Sequence, residues 1–187
     1  MPDEQSPRML VYASLMAALI AVGAFVAIPV GPVPIVLQNL FVLVAALLLG
    51  RRWAAISVAV YLLAGASGLP VFAGGTGGLG RLVGPTGGYL FGFLAAAYIV
   101  GLLAERAGQR VVLEVLAMVV GSLAVYALGV PWLKWITGMS WPQALAVGCY
   151  PFLIGDVLKI AAAVPIVRAV RPLMRGVPFG VRPHAQG

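Results

Sequence analysis

Asp156 and Lys159 stand three residues apart in Tyr150-Pro-Phe-Leu-Ile-Gly-Asp-Val-Leu-Lys-Ile-Ala-Ala-Ala-Val-Pro, a segment with no other charge. The segment is long and hydrophobic enough to cross a bilayer. A lone charge at membrane depth costs on the order of 2.5–3.5 kcal/mol on insertion scales. A spacing of three places both side chains on one helix face, where each offsets the other's desolvation. Two chemistries follow: an ion pair that fixes helix packing, or a recognition site for a polar solute.

Further polar groups stand at comparable depth. Gln38 and Asn39 follow Pro32-Val-Pro-Ile-Val-Leu, and their amides offer both donors and acceptors to a neighbouring helix or to a ligand. The stretch 72–92 is glycine-rich and includes Phe72, Gly74, Gly75, Thr86 and Tyr89. It lacks the Gly-Lys-Ser/Thr ending of a nucleotide loop and does not open a helix after a strand. Glycines let backbone approach a ligand closely, and non-helical backbone at a membrane is tolerated where it lines a cavity. The stretch is therefore read as a wall or lid, with a flexible loop as the alternative. Arg81 within it attracts an anion or is simply solvated; the sequence leaves both open.

These residues need a membrane scaffold to hold them. Of the 187 residues 62% are hydrophobic and 9% charged, and mean hydropathy is +1.06, whereas soluble domains carry roughly 25% charged residues. An all-α integral membrane protein is expected, in one domain over 1–187. Six spans are read at 9–30, 34–50, 53–66, 86–104, 111–130 and 150–170, with tails at 1–8 and 172–187. The second and third are short for a ~20-residue crossing. The N-terminus lacks a basic region and a clear cleavage signal, so the first span is expected to be retained.

Arg8, Arg51, Arg52, Arg106, Arg110, Arg168, Arg171, Arg175 and Arg182 fall on one side of these spans, Arg81 and Lys134 on the other. The asymmetry places both termini in the cytoplasm. The loops at 31–34, 68–85 and 131–149 are then external, and the last carries Trp132, Trp135 and Trp141 as interfacial aromatics. Asp156 lies about 8 Å below the outer end of its span at 1.5 Å per residue, a depth suited to capture of an external solute.

The net charge of +7 flanks apolar segments and so does not indicate nucleic acid. Cys149 is the single cysteine and His184 the single histidine, which leaves no usual zinc cluster. Cys149 is read as a small apolar residue and His184 as part of a polar tail. Ala13, Ala17 and Ala21 form a small-residue stripe for packing or docking. Gly88, Gly92 and Ala96 form a second, read as internal packing.

The runs Gly-Pro-Val-Pro-Ile-Val-Leu-Gln-Asn (31–39), Gly-Gly-Thr-Gly-Gly (74–78), Gly-Pro-Thr-Gly-Gly-Tyr-Leu-Phe-Gly-Phe (84–93) and Gly-Asp-Val-Leu-Lys (155–159) together carry a resemblance. Over essentially the whole chain the sequence resembles the biotin-specific substrate-binding subunits of energy-coupling-factor vitamin transporters, the BioY family of S-components. The resemblance implies a compact six-helix fold in a bacterial cytoplasmic membrane that binds biotin near the outer face, with no cofactor. It implies that Asp156 and Lys159 contribute to biotin binding. Gln38, Asn39, Phe72, Gly74, Gly75, Thr86 and Tyr89 are candidates to complete the site. It also implies docking of the Ala13/Ala17/Ala21 face on a transmembrane coupling subunit, with ATP hydrolysis in further partner chains. A small membrane enzyme using Asp156 as acid or base is the alternative, but no second in-membrane carboxylate or histidine supports it. A structural subunit, with the charged pair fixing packing only, is a third reading. Which charged residue meets which end of biotin is left open.

Overall fold

The computed structural model describes residues 5–28 and 32–174. The end of the first expected span, residues 1–4 of the N-terminal tail and the C-terminal tail from Arg175, with Arg182 and His184, lie outside them. Helix α1 covers Gln5–Phe25, α2 Gln38–Ala66, α3 Leu79–Val83, α4 Gly87–Ala107, α5 Val111–Thr137, α6 Trp141–Gly148 and α7 Tyr150–Val170, closed by a 3-10 turn over Arg171–Met174. Among the described residues four helical stretches are long and apolar enough to cross a membrane: Pro7–Phe25, Gln38–Ala66, Gly87–Ala107 and Val111–Thr137.

The fold is almost entirely helical. One small departure from the all-α expectation is a two-stranded antiparallel ladder of β1 (Ala27–Ile28) and β2 (Ile35–Val36). It stands where the second span was expected to begin. Pro34 disfavours a helical conformation in the residue before it, and helix starts only at Gln38.

The 29-residue α2 is not one straight rod. Gly50 has φ 73° and ψ 178°, a conformation essentially confined to glycine. A straight helix of this length would extend over about 43 Å. Instead the side chain of Gln38, at its start, approaches the Tyr61 hydroxyl near its end. The chain turns back at Gly50, so the helical residues Gln38–Ala66 form two short arms where the sequence reading expects spans at 34–50 and 53–66. The turn is held by Glu105 of α4, whose Oε1 accepts from the Arg51 backbone N–H at 2.9 Å while Oε2 lies 3.6 Å from Arg51 Nε. Beside it, Glu114 of α5 is buried and pairs with Arg171 Nη2 at 2.7 Å. The same Nη2 donates to the Leu47 carbonyl, one of the carbonyls orphaned where the first arm ends.

Helices α1, α2, α4 and α5 pack in that order, and α7 lies against α2 and α5. Gly88 abuts Leu128 and Trp132, and Gly92 abuts Val125, so the Gly88/Gly92/Ala96 face packs α4 on α5 as read. The buried core includes Leu43, Leu47, Val58, Ala96, Val100 and Met118. Helix α5 runs past Pro131 to Thr137, beyond the expected end at 130. The segment 131–149, expected to be external, also contains α6, started by a capping box between Ser140 and Gln143 that satisfies end donors locally.

The Ala stripe of α1 sits differently from the docking expectation. Ala13 and Ala17 are buried and Ala21 is half-buried, on the face that packs against α2. Small side chains there let two helices approach closely. The outward face of α1 instead carries Leu10, Ser14, Ala18 and Val22.

Candidate functional site

Asp156 and Lys159 sit on the second and third turns of α7, 7% and 8% exposed, with Lys159 Nζ donating to Asp156 Oδ1 at 3.2 Å. The i, i+3 spacing delivers this geometry. Two other helices converge on the same carboxylate. Asn39 Nδ2 of α2 donates to Oδ1 at 3.4 Å. Tyr126 of α5 donates its hydroxyl to Oδ2.

A cavity opens around this carboxylate. Its walls come from 33–39, the 72–76 turn, Arg81, the start of α4, and Val125, Tyr126, Phe152, Asp156 and Lys159. Of the expected site residues, Gln38, Asn39, Phe72, Thr86, Tyr89, Asp156 and Lys159 all line it. Gly74 and Gly75 do not. They have φ 74° and 69° and form the tip of a tight turn closed by Phe72 N–H donating to the Thr76 carbonyl at 2.8 Å. Their work is conformational: a positive φ favours glycine, and the turn aims Phe72 inward.

Phe72 is held from behind. Its ring packs edge-to-face on Tyr61, centroids 5.5 Å apart, and fills the notch at Gly65, where a Cβ would collide with it. The glycine-rich segment is therefore structured and carries α3 in its second half. Trp132 of α5 donates its indole N–H to the Gly84 carbonyl at 2.9 Å, fixing the segment's end. Thr86 is in the wall. Its carbonyl accepts from the Tyr89 and Leu90 N–H groups, so the start of α4 turns those donors onto itself. Tyr89 presents its ring to the cavity, while its hydroxyl donates to Gly148 at 2.7 Å and ties α4 to the α6–α7 junction.

Two buried wall atoms have no partner among the described residues: Gln38 Nε2, a donor, and Asn39 Oδ1, an acceptor. Buried polar atoms are rarely left unpaired; the Gln38 side chain has the Tyr61 hydroxyl close by, which leaves Asn39 Oδ1 as the open acceptor position in the wall. Arg81 is exposed at the cavity edge. The site thus combines a polar floor of Gln38, Asn39, Asp156 and Lys159, apolar walls of Phe72, Tyr89, Phe93 and Val125, and a cation at the rim, the common plan of a small-molecule site. Among the described residues no group of three or more His, Cys, Asp or Glu is arranged for a metal.

Sequence reading missed Tyr126, Phe93 and Phe152. Tyr126 lies on an otherwise apolar segment, and a tyrosine inside a span was the available signal. Its pairing with Asp156 depends on the register of α5 against α7, which no local pattern encodes.

The chain matches the family described as the BioY family over residues 1–176. It is 43% identical over 166 residues to a biotin transporter BioY of Thermotoga maritima, covering 89% of this chain and 97% of that one. A Rhizobium etli biotin transporter BioY is 40% identical over 176 residues, covering 88% and 94%. A solved structure of the S-component for biotin from an ECF-type ABC transporter aligns with TM-score 0.85 and 32% identity, covering 92% of this chain and 95% of that chain.

Proposed function

The chain belongs to the BioY family, and from that premise we propose that it is the biotin-binding membrane subunit of an energy-coupling-factor uptake transporter. The relatives are transporters by name, and the reading is a transport subunit and not an enzyme. Biotin is cargo; the chain needs no cofactor for this role. The observation that carries the reading is the floor of the cavity. A cyclic urea has two N–H donors and one carbonyl. Asp156 keeps a free lone-pair position beyond its three protein donors, and Asn39 Oδ1 is the second open acceptor. Gln38 Nε2 supplies a donor for the urea carbonyl, with Lys159 beside it. The apolar rings and chain of biotin then run along Phe72, Tyr89 and Phe93. The carboxylate comes out at the rim beside Arg81. Lys159 already has Asp156 as counter-charge, so Arg81 is the better partner for a second anion.

The proposed topology has six crossings, the two arms of α2 counting separately, in a bacterial cytoplasmic membrane with both termini inside. Support comes from charge: Arg8, Arg52, Arg106, Arg110 and Arg168 are exposed at one pole, while Trp135 and Trp141 are exposed at the other. The cavity then faces outward. Reorientation and release require a transmembrane coupling subunit and ATP-binding subunits, and α1 is the proposed docking helix. Because Ala13 and Ala17 face α2, a partner meets Ser14 and Ala18 first, with Ala21 between the two faces. Binding of biotin to the purified chain, with Asp156→Asn and Lys159→Ala compared, tests the site. Unchanged affinity in both variants would remove it.

A further inference from the structure

Tyr126 reaches the binding carboxylate from a helix that contributes no other polar atom to it. Lys159 and Asn39 both donate to Oδ1, and the Tyr126 hydroxyl donates to Oδ2. A carboxylate turns easily about its terminal bond, because that torsion is broad. With donors on one oxygen only, Asp156 would be free to rotate and give both oxygens to Lys159. Tyr126 opposes that rotation, and as a neutral donor it does so without adding a second cation to the floor. Its half-buried ring lines the cavity and packs against the core, which aims the hydroxyl at the carboxylate.

We propose that Tyr126 is a positioning residue that sets ligand specificity: it pins Asp156 so that the carboxylate offers one acceptor position to a ligand N–H. This rests on the biotin reading above. A ligand that brings an N–H to Asp156 benefits from the pinned geometry. A ligand without that donor does not. Tyr126 thereby sharpens the choice of a urea-like ring over other apolar rings bearing a carboxylate.

The test is equilibrium binding of biotin and of biotin methylated on both ureido nitrogens, for wild type, Tyr126→Phe, Asp156→Asn and the double variant. Phe keeps the ring and removes only the hydroxyl. Tyr126→Phe is expected to weaken biotin roughly 10-fold, the scale of one lost buried hydrogen bond. The methylated ligand should be unaffected, so discrimination falls by the same factor. In the Asp156→Asn background the Tyr126→Phe change should be under about 2-fold, because the two residues act as a unit. Equal losses for both ligands, or the same loss in both backgrounds, would show a packing role and overturn the proposal. Should Tyr126→Phe not fold, Tyr126→Gln restores an N–H donor and is expected to keep most of the discrimination; discrimination lost there, with biotin still bound, also overturns it. Wild type failing to bind biotin removes the transport reading and this proposal together. Wild type binding with Tyr126→Phe unchanged removes this proposal alone.

Discussion

Asn39 and Asp156, 117 residues apart in sequence, meet in the buried floor of the cavity, where Asn39 Nδ2 donates to Asp156 Oδ1 at 3.4 Å. The contact joins the first arm of α2 to α7 and leaves Asn39 Oδ1 open. One amide therefore both orients the anion and offers the acceptor beside it. Asn39→Asp is expected to weaken biotin at least about 10-fold, because two carboxylates then crowd one site and the donor is lost. Titration of the purified variant checks this; wild-type affinity would exclude Asn39 from the floor.

Removing one member of the Asp156–Lys159 pair leaves the other buried without its counter-charge. Truncating one partner of such a pair costs about 3–5 kcal/mol. Lys159→Ala should accordingly lower both biotin affinity and the thermal midpoint of the ligand-free protein. Lys159→Met in an Asp156→Leu background should restore the midpoint but not binding. Recovery of binding in that double variant would contradict the assignment.

The Phe72 ring occupies a notch that exists because residue 65 has no side chain. Gly65→Val fills the notch, drives Phe72 toward the cavity and loosens the 72–76 turn. Faster biotin release is expected with little change in global stability, measured by stopped-flow displacement. A collapse of the thermal midpoint with unaltered release would mean that the turn has no part in retention.

The fold-back at Gly50 is expected to be intolerant of side chains. Gly50→Ala forces a conformation that costs on the order of 1–3 kcal/mol outside glycine, and its Cβ would stand 2.6 Å from Glu105 Oε1. Gly101→Ala presses a Cβ into the Arg51 backbone nitrogen and Cα, where nothing flexible can give way. Thermal unfolding in detergent should rank Gly101→Ala as the more damaging of the two, and the reverse order would place the tight packing elsewhere.

Much of the site was legible in local pattern. The Asp156–Lys159 face follows from helical spacing, and the Gly88/Gly92 face from small residues four apart. The two arms of α2 were visible because Arg51 and Arg52 interrupt an apolar run. What escaped reading depends on how helices rotate against one another. Ala13 and Ala17 look equally suited to an inner or an outer partner until α1 is seated on α2. Tyr126 is one aromatic among many until α5 and α7 are in register. Gly74 and Gly75 suggested backbone contact with a ligand, but two adjacent glycines also make a tight turn, and here the turn places their neighbour Phe72 in the wall.

The most direct measurement is calorimetric titration of biotin into the purified chain in detergent, with other vitamins as competitors and Asp156→Asn alongside. The expected result is stoichiometric binding displaced by biotin alone, weakened about 100-fold or more in Asp156→Asn, as for loss of a charged buried acceptor. Absence of binding by folded wild-type protein, or equal binding by Asp156→Asn, would contradict the account and return the charged pair to a packing role.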